Sequence, residues 1–255
     1  PGARALSFGM LGCDFHCGYC QNWVTSQALR DPAAGIAPQQ TSADAIVAAA
    51  LRLGAEVVTS TYNEPLITSE WAVAVFREAV EQGLTCSFVS NGNATPRVLD
   101  YLEPYVRLYK VDLKTFQDKQ YRKLGGRLEP VLDTIRALVA RGTIVTPNLP
   151  ELAALTGVEL SLMESDLGVR LAAAESLRRG GAAAVVVKGG HGEENPIADL
   201  VLASDGGPTW LERPRLPGAS IRGSGCRFAT YLSARLAVPR SGSEGLVGAV
   251  RDAGE

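Results

Sequence analysis

Strand-like and helical segments alternate along the first 142 residues, and glycine ends many of the helices. The run ALSFGML predicts a strand, and SADAIVAAALRLG predicts a helix that stops at Gly54. The same pattern then repeats in AEVVTSTY and SEWAVAVFREAVEQG. Glycine adopts at little cost the left-handed conformation that turns a chain out of a helix. Short links of this kind imply parallel strands covered by helices, so the predicted fold class is α/β.

A change in this pattern divides the chain into two predicted domains, residues 1–142 and 143–255. The first ends with the helix EPVLDTIRALVARG, after which TIVTP predicts a strand and two helical stretches follow. Three strand-like runs then come in succession, AAAVVVKGG, ADLVLAS and PTWLERP, and GSGCRFATYLSARLA predicts a closing helix. Because TIVTP keeps the strand phase, it can also stand as the next strand of the first sheet, in a hybrid sheet.

The composition is that of a folded protein without a membrane span. The chain has 255 residues, a formal net charge of −2, and 46% hydrophobic and 20% charged residues. No apolar run approaches the roughly 18 residues that a spanning helix needs, and no basic cluster indicates nucleic acid as a partner. Five cysteines, an odd and unevenly spaced set, favour the reducing cytoplasm over a disulfide framework. The chain starts at Pro1 without a signal peptide, and we expect it to be a fragment at both ends.

Three of the five cysteines lie within GCDFHCGYC, directly after the first predicted strand: Cys13, Cys17 and Cys20. Structural zinc needs four ligands, and His16 is too close in sequence to its neighbours to serve easily. An iron–sulfur cube held by three thiolates keeps one iron free of protein, and that iron can bind the amine and carboxylate of a substrate. The spacing therefore favours a 4Fe–4S cluster over a zinc knuckle or a chance grouping of thiols.

The segment PGARALSFGMLGCDFHCGYCQNWVTSQ resembles radical S-adenosylmethionine enzymes of the AmmeMemoRadiSam type, relatives of pyruvate formate-lyase activating enzyme. The resemblance runs from Pro1 to about Gly142 and implies a partial (β/α) barrel. It implies that the three cysteines bind the cluster, that Tyr19 lies against the adenine, and that Glu64 holds the methionine ammonium of the cofactor. At the ends of the next two strands it implies further cofactor-binding residues: Ser90, Asn91, Asp112 and Lys114.

The reaction that this resemblance implies is one-electron reduction of the cluster and cleavage of S-adenosylmethionine to methionine and a 5′-deoxyadenosyl radical. That radical would abstract hydrogen from a substrate, for which a protein glycine is one candidate. The implied partners are a protein substrate of the glycyl-radical type and an electron donor such as flavodoxin or ferredoxin, with no nucleic acid and no membrane.

The second half carries three motifs in a fixed order: Asn148-x-x-Glu151, then VVVKGGH, then GSGC at the start of a helix. N–H groups and the positive end of a helix make an anion pocket at Gly223, Ser224 and Gly225, and the same field lowers a thiol pKa. Together the motifs resemble hydroxymethylpyrimidine/phosphomethylpyrimidine kinases of thiamine synthesis, which have the ribokinase-like fold.

This second resemblance implies that the anion pocket stabilises the transferring phosphoryl group and that Cys226 acts as the base. It also implies that Asn148 and Glu151 organise magnesium and phosphate of ATP, and that a strand-end turn borders the nucleotide, formed by Lys188, Gly189 and Gly190.

Both resemblances are incomplete, because the kinase family's first half and the barrel's last strands are absent. The leading hypothesis is a radical S-adenosylmethionine enzyme, because its cofactor-binding motifs are all present. The alternatives are an ATP-dependent kinase and a non-catalytic metal-binding protein. The join near Gly142 is open to three interpretations: a natural fusion, an error of sequence assembly, or an engineered joining of two genes.

Overall fold

The computed structural model of the chain describes residues 4–204, 206–215, 228, 232 and 242–254. The chain divides into two compact units, Pro1–Ile135 and Arg136–Glu255. Within the described residues, no helix combines the length and the apolar character that crossing a bilayer requires. The α/β class predicted from the alternating segments is confirmed in both units.

The sheet of the first unit has four parallel strands in the order β1-β2-β3-β4. The strands are Ala5–Phe8 (β1), Val57–Ser60 (β2), Thr85–Ser90 (β3) and Val106–Val111 (β4). One row of the ladder runs from Phe8 through Ser60 and Phe88 to Tyr109. Since all four strands run in the same direction, the loops that follow them meet at one edge of the sheet.

Helices connect these strands, and local signals in the sequence begin and end them. Gly54 and Gly83 have φ values of +62° and +74°, the left-handed geometry expected after a helix. Pro96 opens one helix, and the Thr95 hydroxyl accepts the Val98 N–H as its N-cap. The helices are Trp23–Ser26 (α1), Ala43–Arg52 (α2), Ser69–Glu81 (α3), Pro96–Leu102 (α4), Asp118–Lys123 (α5) and Leu128–Ala140 (α6), with 3₁₀ turns at Pro32–Ala34 and Pro65–Thr68.

One face of the first sheet is buried under helices, and the other face is half-exposed. Val58, Cys86 and Phe88 are fully buried in a core that includes residues of α2 and α3. Thr59 and Ser87, which point to the opposite face, are only half-buried. Full burial of each large apolar side chain contributes about 1.5–3 kcal/mol. This asymmetry fixes the register of the strands and therefore the position of the loops at their ends.

The second unit contains a separate four-stranded sheet in the order β5-β6-β7-β8. The strands are Ile144–Val145 (β5), Ala184–Val187 (β6), Ile197–Leu202 (β7) and Thr209–Arg213 (β8). β5 is parallel to β6, whereas β6, β7 and β8 form antiparallel pairs. Because TIVTP supplies β5 and pairs with β6, the hybrid sheet that the strand phase allowed is not formed in the described part of the chain.

Helices of the second unit surround a core built on β6, whose four residues are all buried. The helices are Leu149–Thr156 (α7), Leu160–Ser165 (α8), Leu167–Arg179 (α9) and Gly242–Gly254 (α10), with a 3₁₀ turn at Gly189–His191. Phe228 and Leu232 are helical and buried in the same core, as the i, i+4 pattern of the predicted closing helix requires.

Candidate functional site

The three clustered cysteines lie in the loop between β1 and α1, at the carboxyl edge of the first sheet. Cys13, Cys17 and Cys20 are free thiols and half-buried. The Cys20 N–H donates to the Cys17 carbonyl over 3.0 Å, which closes a turn around the second and third thiols. Gly12 enters this loop with a φ of +103°, a conformation that a residue with a Cβ rarely adopts.

The β4–α6 connection supports the same loop from a second side. The His16 N–H donates to the Leu124 carbonyl over 2.9 Å, and the Phe15 ring packs edge-on against Tyr121 with centroids 6.0 Å apart. A Cβ on Gly126 would lie 2.4 Å from the Phe15 ring, so glycine is needed there for this close approach. The thiol-bearing loop is therefore held by packing and by backbone hydrogen bonds without any ligand.

Partial burial disfavours the charged form of these thiols. Burial raises the pKa of Cys13 to about 12, and burial raises the pKa of Cys17 although Lys114 acts in the opposite direction. Cationic iron would stabilise the thiolates and release the protons. In the described part of the chain, no three His, Cys, Asp or Glu side chains converge on one ion position. A cube in which each thiolate binds a different iron does not require that convergence.

Glu64 follows β2 and is a buried carboxylate with three hydrogen-bond donors. Glu64 is only 2% exposed to solvent. Oε1 accepts from the Leu66 N–H over 3.0 Å and from the Ser90 hydroxyl over 2.8 Å, and Oε2 accepts from the Asn91 N–H over 2.7 Å. Burial raises the pKa of Glu64 to about 7 in spite of these donors. The carboxyl group therefore titrates near neutrality, and a cation placed beside it would favour its charged form.

Asn91 connects Glu64 to the thiol-bearing loop. Its side-chain amide donates to Asp14 Oδ1 over 2.7 Å, and the Asn93 amide donates to Asp14 Oδ2 over 2.8 Å. Gly92 between them has a φ of +78°, and a Cβ there would lie 2.6 Å from the Val111 side chain. Asp14 and Asn93 were not among the predicted site residues, although Asp14 lies inside the quoted motif GCDFHCGYC and Asn93 follows the predicted residue Asn91 by two positions.

Asp112 follows β4 and is flanked by two lysines. Lys110 Nζ contacts Asp112 Oδ1, and Lys114 Nζ lies 3.3 Å from Oδ2. Burial opposes ionisation, but the two lysines together lower the pKa of Asp112 below its usual range. The Lys114 N–H also donates to the Tyr121 hydroxyl over 3.0 Å, so this segment is tied to the packing under the thiol loop.

Two tyrosines differ in their surroundings at this edge. Tyr19 is 62% exposed, so its ring is open to stacking. The Tyr109 hydroxyl is buried, and no described residue meets the geometry of a hydrogen bond with it. Burial raises the pKa of Tyr109; the nearby Ser90 hydroxyl acts in the opposite direction and Glu64 in the same one. The structure thus brings Glu64, Ser90 and Asn91 into direct contact, and Asp112 with Lys114. The chemistry of three thiols, an acceptor carboxylate and an adjacent lysine fits a cluster with S-adenosylmethionine.

In the second unit, Asn148 and Glu151 form a capping box at the start of α7. The Glu151 N–H donates to Asn148 Oδ1 over 2.8 Å, and the Asn148 N–H donates to Glu151 Oε2 over 2.7 Å. Lys188 Nζ lies 3.8 Å from Glu151 Oε2, and the Lys188 N–H donates to the Pro147 carbonyl over 2.9 Å. The structure therefore brings these three predicted residues together.

The turn after β6 is fixed by buried charges. The Gly189 N–H donates to Asp199 over 2.7 Å, and a Cβ on Gly189 would lie 1.9 Å from a carbonyl oxygen of β7. Arg170 and Glu194 form a bidentate pair, with both N···O distances 2.6 Å. Gly190 accepts from Arg215 over 3.2 Å. The remaining predicted residues lie outside the described part of the chain: Gly223, Ser224, Gly225 and Cys226.

Two family models match the chain, and their ranges overlap in the middle. The model described as "Radical SAM superfamily" matches residues 9–152, and the model described as "Phosphomethylpyrimidine kinase" matches residues 127–254.

Individual relatives divide in the same way. Hydroxymethylpyrimidine/phosphomethylpyrimidine kinase of Haemophilus influenzae is 36% identical over 103 residues, 39% of this chain and 37% of the relative. The Bacillus subtilis protein of that name is 37% identical over 113 residues, 44% of this chain and 40% of the relative. An uncharacterised protein of Methanocaldococcus jannaschii is 29% identical over 154 residues, 58% of this chain and 45% of the relative. The chain thus spans less than half the length of these relatives.

Among solved structures, pyridoxal kinase from Lactobacillus plantarum has a TM-score of 0.50 at 22% identity. The match covers 73% of this chain and 67% of that one. This likeness concerns the fold alone.

Proposed function

The chain belongs to the radical SAM superfamily over residues 9–152 and to the phosphomethylpyrimidine kinase family over residues 127–254, and from this membership we propose that its first half cleaves S-adenosylmethionine reductively. A bound 4Fe–4S cluster would supply one electron to the sulfonium and so generate a 5′-deoxyadenosyl radical, as in activating enzymes. Methionine would be the other product. The protein's own residues bind, orient and shield the reactants.

One observation carries this proposal: a buried, triply hydrogen-bonded carboxylate lies at the same sheet edge as the three thiols. Glu64 is linked to the thiol-bearing loop through Asn91 and Asp14. A buried acceptor carboxylate beside thiols that would hold a cluster suits a site that also binds the cationic group of a cofactor.

Each residue of the edge has a role in this proposal. Cys13, Cys17 and Cys20 would hold the cluster, and the methionine part of the cofactor would lie beside it. Glu64 would accept a hydrogen bond from the amino group of the methionine part, a charge-assisted contact that also favours the ionised form of Glu64.

The neighbouring residues orient the rest of the cofactor. Ser90 and Asn91 hold the Glu64 carboxylate in one rotamer, and Asp112, kept ionised by Lys114, offers a second acceptor for the cofactor. Tyr19 provides an exposed aromatic face for the adenine.

The partners follow from the chemistry. The cluster needs a one-electron donor, for which a flavodoxin or ferredoxin is suited, and the radical needs a substrate with an abstractable hydrogen, for which we propose a protein glycine. Both the oxygen sensitivity of such a cluster and the free thiols favour a reducing compartment, the cytoplasm.

Anaerobic reconstitution with iron and sulfide tests the proposal. We expect about four irons per chain and dithionite-dependent formation of 5′-deoxyadenosine in the wild type, and neither in a variant with all three clustered cysteines changed to serine. Cys86→Ala is the matched control, because this thiol is fully buried in the core away from the loop. One zinc per chain without cleavage would refute the proposal and favour a non-catalytic metal-binding protein.

A kinase is the second candidate, favoured by the convergence of Asn148, Glu151 and Lys188. Under this proposal Lys188 and Glu151 border the phosphates and Mg²⁺ of ATP, and Cys226 acts as the base toward a hydroxymethylpyrimidine. Turnover of hydroxymethylpyrimidine with ATP, abolished by Cys226→Ala, would support it. Absence of both turnover and nucleotide binding in the intact chain would refute it.

A further inference from the structure

We infer that Asp14 is a positioning residue, which sets the thiol-bearing loop at a fixed distance from the Glu64 carboxylate. The inference rests on the proposed function of this edge and adds to it a residue that neither sequence motifs nor comparisons assigned. It depends on the hydrogen bonds that join Asp14 to Asn91 and Asn93, which lie 77 and 79 residues further along the sequence.

Both oxygens of Asp14 are engaged by one loop. Oδ1 accepts from the Asn91 amide over 2.7 Å and from the Cys13 thiol over 3.8 Å, and Oδ2 accepts from the Asn93 amide over 2.8 Å. A carboxylate that accepts an amide bond on each oxygen from two side chains of the same loop cannot rotate without losing at least one of them. Such bonds to a charged acceptor are stronger than those between neutral groups.

The orientation of the Asn91 amide is also determined. Its Oδ1 accepts the Asn93 N–H over 2.8 Å, which leaves Nδ2 as the group that faces Asp14. In the flipped orientation of the Asn91 amide, its NH2 group would face the Asn93 N–H, donor against donor. Its oxygen would face Asp14 Oδ1, acceptor against acceptor. Asn91 is 5% exposed, so water cannot readily replace the lost partners.

Asn91 therefore touches both ends of the site. Its backbone N–H donates to Glu64 while its side chain donates to Asp14, the residue next to Cys13. A displacement of the thiol-bearing loop changes the Asp14–Asn91 geometry and moves the N–H that holds Glu64. Glu64 and the loop are thereby kept in register, as simultaneous contact of one cofactor with a cluster and with Glu64 requires.

A reciprocal exchange of donor and acceptor tests this role. Asp14→Asn removes the negative charge and one acceptor, so the bond to Asn93 is either lost or, after rotation of the Asn93 amide, replaced by a weaker bond between neutral groups. The double variant Asp14→Asn with Asn93→Asp restores complementarity. The amide nitrogen at position 14 then donates to the carboxylate at position 93, and the amide oxygen at position 14 still accepts from Asn91. Asp44→Asn, at the exposed first turn of α2, is the control.

The readouts are iron content and the electron paramagnetic resonance spectrum of the reduced cluster, titrated with S-adenosylmethionine. In the single variant we expect the S-adenosylmethionine concentration that produces half of the spectral change to rise about tenfold. A tenfold rise corresponds to the loss of one hydrogen bond to a charged group. In the double variant this concentration should return to within about threefold of the wild-type value, because the bond between positions 14 and 93 is re-formed with donor and acceptor exchanged.

The outcomes separate this inference from the proposed function. If the wild type holds a cluster whose spectrum responds to S-adenosylmethionine and Asp14→Asn behaves identically, the positioning role is wrong and the proposed function stands. If the wild type itself shows no response, the proposed function fails. If Asp14→Asn loses iron, recovery of iron in the double variant supports the role, and failure to recover it overturns the role.

Discussion

Replacing Glu64 by glutamine in the metal-free protein should remove a pH-dependent loss of stability. Burial raises the pKa of Glu64 from an ordinary 4.5 to about 7, so the folded state binds more protons than the unfolded state between these values. Stability conferred by the neutral carboxyl group is therefore fully present below the unfolded pKa and is lost as the pH rises through the folded pKa.

The magnitude follows from the difference between the two pKa values. At about 1.4 kcal/mol per pH unit, a rise from 4.5 to about 7 corresponds to about 3 kcal/mol of destabilisation above pH 7 relative to pH 4. Glu64→Gln does not titrate. The difference in unfolding free energy between wild type and variant should therefore change by up to about 3 kcal/mol over that range, in favour of the variant at high pH. The titratable neighbours Asp14, Cys13 and Tyr109 are present in both proteins, so their contributions largely cancel.

Urea unfolding of the metal-free protein at pH 4 and pH 8 measures this difference, with the exposed Glu70→Gln as the control. Parallel pH profiles for wild type and Glu64→Gln would refute the reasoning, since they would mean that Glu64 is ionised throughout. Addition of a cation that binds beside Glu64 should flatten the wild-type profile, because it favours the carboxylate.

Three substitutions and one control in the second unit give further tests by thermal or urea unfolding. Gly189→Ala should destabilise by roughly 2 kcal/mol or more because its Cβ would meet a carbonyl oxygen at 1.9 Å, whereas the control Gly190→Ala, with no atom of the described residues within 4 Å, should be nearly neutral; equal effects would contradict the close approach. Asn148→Ala should cost about 1 kcal/mol through loss of a capping box, and no loss would show that the box does not stabilise α7. Arg170→Met should cost about 3 kcal/mol because it leaves Glu194 without its partner, and a neutral result would contradict this.

The elements of the first sheet could be predicted because their signals are local. Alternating residues in β3 and the helical spacing of α3 lie within short windows, and Gly54 and Gly83 mark helix ends through their own backbone preference. Burial of one strand face and not the other follows from the same alternation.

The contacts that assemble the site could be predicted only in part. The motifs named Glu64 and Asn91, but the bonds from Asp14 to Asn91 and Asn93 join distant segments, and no local pattern indicates such pairs. The spacing of Asn148 and Glu151 is also that of a capping box, which the two side chains form at the start of α7. A motif quoted for ligand binding can thus also stabilise the helix that carries it.

The proposed reaction requires that the thiol-bearing loop hold an iron–sulfur cluster that S-adenosylmethionine can reach. Anaerobically reconstituted protein should contain about four irons per chain and give a reduced-cluster resonance that changes on addition of S-adenosylmethionine. The same protein with Cys13, Cys17 and Cys20 changed to serine should show neither. Iron content that is unaffected by these three substitutions, or a resonance that S-adenosylmethionine leaves unchanged, would contradict the account.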